Sequence, residues 1–149
     1  MPSEFKLKRR VVFSETDMAG MCHFSILFRY MEDTEHAFLR SLGLSVHAVK
    51  PEGIVSFPRV SAQCDFQHPL RFEDEVEIHL RVTEKRVKSI VYDFTFHKTT
   101  GPSPVEVAHG SMAVVCARKA SPQDRFRAIE IPKEIAAKIE SSHLVPRDD

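Results

Sequence analysis

Between Ser14 and Arg40 the chain reads SETDMAGMCHFSILFRYMEDTEHAFLR, and this run gathers the residue types that could do chemistry. Asp17 is a carboxylate in a short turn between an extended apolar segment and a long amphipathic helix. Gly20 gives the turn backbone freedom, and His23 adds an ionisable ring. The helix that follows points its first N–H groups, from His23, Phe24 and the first turn, at the same spot. A carboxylate facing such donors can attack a carbonyl carbon or activate water against it, while the amides hold the developing oxyanion. That is the outline of acyl transfer. An aspartate that only stabilises its turn would look the same.

The elements that must position these groups show in the hydrophobic period. Phe5, Leu7, Val11 and Phe13 share one parity, which predicts a strand interrupted by charged Arg9. Phe24, Leu27, Phe28, Met31, Phe38 and Leu42 then recur at three- and four-residue spacing, predicting a helix of about five turns. Ser25 is its expected N-cap and Gly43 its C′ residue, with Arg40 at the negative end of the dipole. After a loop around Pro51 and Gly53 the period returns to two. Val60, Ala62, Cys64 and Phe66 make one set, Val76, Ile78, Leu80 and Val82 a second, and Ile90, Tyr92, Phe94 and Phe96 a third. A last strand covers roughly 105–117, where the Val114–Val115 pair implies burial on both faces. Turn signals at His68-Pro69, Phe72-Glu73-Asp74 and Thr100-Gly101-Pro102 separate these runs.

Consecutive strands with short connections pair antiparallel, so an α+β class with a five-stranded antiparallel sheet and one long helix is expected. One helix covers one face; the other stays partly apolar, which predicts a homodimer or homotetramer. The tail from 121 to 149 starts polar and then carries a short helix-like stretch near 132–141, with Pro132 suited to N1. A chain of 149 residues makes one domain, 1–149, and no repeat or low-complexity segment divides it.

Lys+Arg and Asp+Glu both total 21, so no global basic field points to nucleic acid. Three cysteines far apart, Cys22, Cys64 and Cys116, fit a reducing, cytoplasmic setting rather than a disulfide scaffold. The start MPSEFKLKRR has charge without an apolar core, unlike a secretory signal, and no apolar run reaches the roughly 20 residues of a membrane span. His23 and His36 are not at ligand spacing and no HxxxH or Cys/His cluster occurs, so no metal is expected.

In Thr16-Asp17-Met18-Ala19-Gly20, His23-Phe24-Ser25, Phe28-Arg29-Tyr30-Met31-Glu32 and the distant Arg127-Ala128-Ile129-Glu130-Ile131-Pro132, the chain resembles the hotdog-fold acyl-CoA thioesterases of the 4-hydroxybenzoyl-CoA thioesterase-like branch. The resemblance spans nearly the whole chain. It implies a sheet wrapped around the central helix, and Asp17 as nucleophile or general base. It also implies an oxyanion hole from the His23 and Phe24 amides, with Gly20 and Ser25 beside the substrate. No cofactor is implied, since coenzyme A belongs to the substrate. Relatives often carry Asn and then Tyr where this chain has Ile26 and Leu27, which makes the pocket mouth more apolar here.

Coenzyme A brings phosphates, and two basic clusters could bind them: Lys85, Arg86 and Lys88 at a hairpin turn, and Arg125 with Arg127 at the start of the tail. Arg59 and Arg71 are further candidates. Glu32, Asp33 and Glu35 offer a rival acid from mid-helix, but with His36 one turn away they read better as a solvated face. Cys22 lacks a partner base and reads as a small pocket residue. Hydrolysis on an acyl carrier protein is the alternative partner. An enoyl-CoA hydratase fits less well, because Asp17 and His23 are one residue too far apart and an Asn-Pro is missing. A non-catalytic acyl-CoA sensor would need room for a DNA-binding segment.

Overall fold

The computed structural model describes residues 3–141. Five strands make the main antiparallel sheet: β1 (Glu4–Arg10), β4 (Arg59–Phe66), β5 (Glu75–Lys85), β6 (Ser89–Lys98) and β7 (Val105–Val115). Their order is β1-β5-β6-β7-β4, with β1 and β4 at the edges. The long helix α1 (Phe24–Ser41) lies across one face. Cross-strand pairs such as Ile78 with Phe96 and Leu80 with Phe94 put the alternating apolar sets under it. Phe5, Phe38, Tyr92 and Phe94 continue that core as a chain of ring contacts.

Arg9 explains its own interruption of β1. It occupies an inward position, where its guanidinium meets Asp33 at 2.7 Å and sits 5.1 Å from the Tyr30 ring centre. Phe13 departs from the predicted strand: the chain turns at Val12 into a single 3-10 turn, Phe13–Glu15, and leaves that ring exposed. Ser25 is not the N-cap. His23 takes that place, with its Nδ1 accepting from the Ser25 amide at 3.3 Å. Gly43 does sit at C′ with φ +73°, a conformation that costs glycine little.

The buried side of α1 also differs from the predicted stripe. It runs Leu27, Tyr30, Met31, Thr34, Glu35, Phe38, Leu39, while Phe24 at the helix start is exposed. Glu35 is therefore not on a solvated face; it is completely buried. The Met31 side chain of α1 packs tightly on Gly110 of β7, where a Cβ would stand 2.7 Å from Met31 Sδ and 3.1 Å from the Gln63 carbonyl oxygen.

The segment expected to be a loop builds a second sheet. Its strands are β2 (His47–Lys50), β3 (Gly53–Ser56), β8 (Ala117–Lys119) and β9 (Arg127–Ala128), in that order. Cys116 separates β7 from β8, so the last predicted strand is divided between two sheets, and Val115 is only half-buried. In the tail α2 is a single turn, Lys133–Ala136, with Pro132 as its N-cap rather than N1. Residues 142–149 of the predicted tail lie outside the described residues.

Candidate active site

Asp17 sits at the head of a small hairpin closed by the Asp17 amide to the Met21 carbonyl, 2.8 Å, and by a bridge between Thr16 and Cys22. Gly20 has φ +76°, so the turn uses the freedom expected of it. Asp17 Oδ1 accepts from the Ala19 amide at 2.9 Å and the Met21 amide at 3.2 Å. Among the described residues Oδ2 takes no hydrogen bond. One oxygen is anchored and the other is unengaged.

The hairpin is docked on its surroundings. Its Cys22 amide donates to the Leu70 carbonyl at 2.7 Å, and Met21 bridges to Arg71. Of the two amides expected to polarise a thioester, His23 N–H donates to the Glu15 carbonyl at 2.8 Å. Phe24 N–H has no partner among the described residues, which leaves it, at the positive end of α1, as the available donor. The His23 ring is held by Ser25 Oγ at 2.7 Å and stacks at 4.7 Å on Phe24, so it acts as a cap.

Beside Asp17 opens a cavity of about 450 Å³. Its walls are apolar, from Met21, Phe24, Leu27, Phe66 and Leu70, with Gln67 and His68 as polar groups. Phe24 and Phe66 meet edge to face at 6.4 Å. The Phe66–Leu70 wall went unrecognised in the sequence, where His68-Pro69 reads only as a turn. Cys22 also lines the cavity, and burial followed by the Glu15 and Asp17 charges pushes its thiol up to about 12. It stays a neutral thiol, in keeping with a pocket residue.

The two basic clusters do not join this site within one chain. Asp17 lies at the end of the sheet where Gln67 and His68 bond Val107, while the Lys85–Lys88 hairpin meets Cys116 and Ile131 at the opposite end. The 11 residues of β7 that separate them span about 35 Å. Lys85 is structural: its Nζ donates to the Ala136 and Ile139 carbonyls at 2.9 and 2.7 Å, capping the α2 turn. Arg86 pairs with neighbouring Glu84, and Lys88 is exposed. Arg125 and Arg127 do come together, with Arg118 and Lys119, around a second hollow of about 630 Å³. Arg71 stands by the Asp17 hairpin, its NH1 3.9 Å from where a Gly20 Cβ would be. Arg59 instead turns inward to Glu35 at 2.5 Å and Glu32 at 3.6 Å. His36 Nε2 faces Arg59 at 3.4 Å. Among the described residues no three His, Cys, Asp or Glu side chains gather as a metal would require.

Comparison with known proteins agrees with this architecture. Residues 11–139 match the model of the thioesterase-like superfamily. A protein of Aquifex aeolicus described as a putative esterase is 30% identical over 131 residues, 88% of this chain and 94% of its own. The structure of a gentisyl-coenzyme A thioesterase superposes with a TM-score of 0.74 at 27% identity, covering 89% of this chain and 99% of that one. The 4-hydroxybenzoyl-CoA thioesterase of Pseudomonas sp. strain CBS-3 superposes at 0.77 over 92% of this chain and 99% of its own; at 22% identity that likeness speaks for the fold. The chain belongs to the thioesterase-like superfamily and is a hotdog-fold thioester hydrolase.

Proposed function

We propose that this chain hydrolyses an aromatic acyl-CoA to the free acid and coenzyme A, with Asp17 as the reacting carboxylate. The observation that carries the reading is the state of that carboxylate. One oxygen is fixed by two turn amides and the other is unengaged, on the wall of an apolar cavity. Oδ2 either attacks the thioester carbonyl carbon, expelling the coenzyme A thiolate and leaving an anhydride that water opens, or removes a proton from the attacking water. In both routes the Phe24 amide at the helix N-terminus takes the developing oxyanion. No cofactor enters either route.

An aromatic acyl group is supported by the Phe24–Phe66 wall, which offers ring edges and faces for stacking, and by Gln67 and His68, which could bond ring hydroxyls. Two structurally similar thioesterases are named for gentisyl and 4-hydroxybenzoyl thioesters. The nucleotide end is supplied by a second copy. Edge strand β4 exposes Val60 and Phe66, and antiparallel pairing of two β4 strands about a two-fold axis sets the Arg59 end of one against the Phe66 end of the other. That brings the partner's basic hollow towards this Asp17 and gives Arg118, Arg125 and Arg127 a phosphate to bind.

A hydrolysis screen over aromatic and aliphatic acyl-CoAs, read as free thiol, tests the activity. On the best substrate Asp17→Asn is expected to lower kcat by about 100-fold or more. A variant keeping most of the wild-type rate overturns the assignment.

A further inference from the structure

We propose that Tyr30 is a positioning residue for Asp17, acting through Glu15; the inference rests on the reading of Asp17 as the reacting group. Tyr30 lies in the second turn of α1, fully buried, and its hydroxyl donates to Glu15 Oε1 at 2.7 Å. The same oxygen accepts the Val12 amide at 2.9 Å, and the Glu15 carbonyl accepts the His23 amide at 2.8 Å. The extension of β1, the helix cap and the helix body therefore converge on one residue, two positions before Asp17.

Packing alone does not explain the phenol. A phenylalanine would fill the same volume, whereas a buried hydroxyl needs an acceptor and here has a carboxylate. The ring cannot easily swing away, because the Arg9 guanidinium lies 5.1 Å from its centre and is itself held by Asp33 at 2.7 Å. Burial and the Glu15 carboxylate both hold the phenol well above its ordinary pKa, so its proton stays in place to be donated. The Asp17 hairpin is thus tied on one side to Leu70 and Arg71 and on the other, through Glu15, to the helix that carries the Phe24 amide. The bond fixes the separation between the reacting oxygen and the oxyanion donor. A displacement of about 1 Å in such a pair can cost about 100-fold in rate.

The test compares Tyr30→Phe with wild type on the best acyl-CoA, together with melting temperature. A loss of kcat of about tenfold is expected, with KM within about twofold of wild type, because the pocket walls are untouched. Phe38→Leu, a core truncation at the far end of the same helix, serves as the stability control. It should lower the melting temperature at least as much and keep kcat within about twofold. A Tyr30→Phe kcat within twofold of wild type overturns the proposal, and so does an equal kcat loss in Phe38→Leu, since the rate would then follow stability. Asp17→Asn measured alongside separates the two readings. If it remains active the Asp17 assignment has failed; if it is inactive while Tyr30→Phe is normal, only the positioning role has failed.

Discussion

The Glu35 carboxylate and the Arg59 guanidinium meet at 2.5 Å inside the protein, joining the middle of α1 to the first residue of edge strand β4. Glu35 has no exposed surface, and Tyr92 lies beside the same carboxylate. Burial pushes Glu35 up to about 7, against the lowering influence of Arg59 and the neighbouring Tyr92 hydroxyl. In the folded protein it therefore holds a proton that the unfolded chain releases near the ordinary carboxylate value of 4.5. Raised folded affinity for a proton stabilises at low pH, and that contribution is lost as pH rises from about 4.5 to about 7.

Urea unfolding of wild type and Glu35→Gln between pH 5 and pH 8 reads this directly. Glutamine keeps the acceptor for Arg59 and has no proton to lose. The variant is expected to gain on wild type steadily through the window, by up to about 3 kcal/mol, with no further gain above it. Parallel stability curves would refute the raised carboxyl. Removing the other partner acts in the opposite sense: Arg59→Met leaves the charge buried and should cost about 3 kcal/mol at pH 8 and less at pH 5.

A second contrast separates basic residues that look alike in the sequence. Lys85 spends its ammonium on two α2-end carbonyls, whereas Arg127 lines the hollow of about 630 Å³. Lys85→Met should lower stability by about 1 kcal/mol and leave KM for the best acyl-CoA unchanged. Arg127→Gln should leave stability alone and raise KM about fivefold, an effect that shrinks with added salt. Initial rates and thermal melts on the two variants decide it. An unchanged KM in Arg127→Gln would remove the basic hollow from the proposed site.

Why some of this was legible in the sequence and some was not follows from range. The five long strands and α1 advertise themselves because ten or so residues suffice to show a period of two or 3.6. Strands β2, β3, β8 and β9, at two to four residues each, are too short to show one. Asp17, Gly20 and Gly43 were readable because turn and cap chemistry is local. The opposite cavity wall at Phe66 and His68 is some fifty residues away in sequence, and periodicity carries no information about which turns meet. Glu35 was misread because its charge outweighed its position. It lies four residues from both Met31 and Leu39, on the ridge that faces the sheet, and that spacing was the available signal.

Gly110 offers a further test of how the Met31 side chain of α1 seats on the sheet. On the inward face of β7 it pairs with Phe94 on one side and Cys64 on the other, and the Met31 side chain of α1 packs against it. A methyl group would press 2.7 Å from Met31 Sδ, which can move because the thioether is flexible, and 3.1 Å from the Gln63 carbonyl, which moves only with β4. Its φ is not in the left-handed region, so any cost of Gly110→Ala arises from crowding and not from the backbone. A loss of about 1–3 kcal/mol is expected from overpacking. Met31→Ala in the same protein should then recover part of it, since the two changes share one contact and cannot be additive. Unfolding free energies of both single variants and the double variant complete the cycle. Strict additivity would mean that the helix is not seated on the sheet at this position.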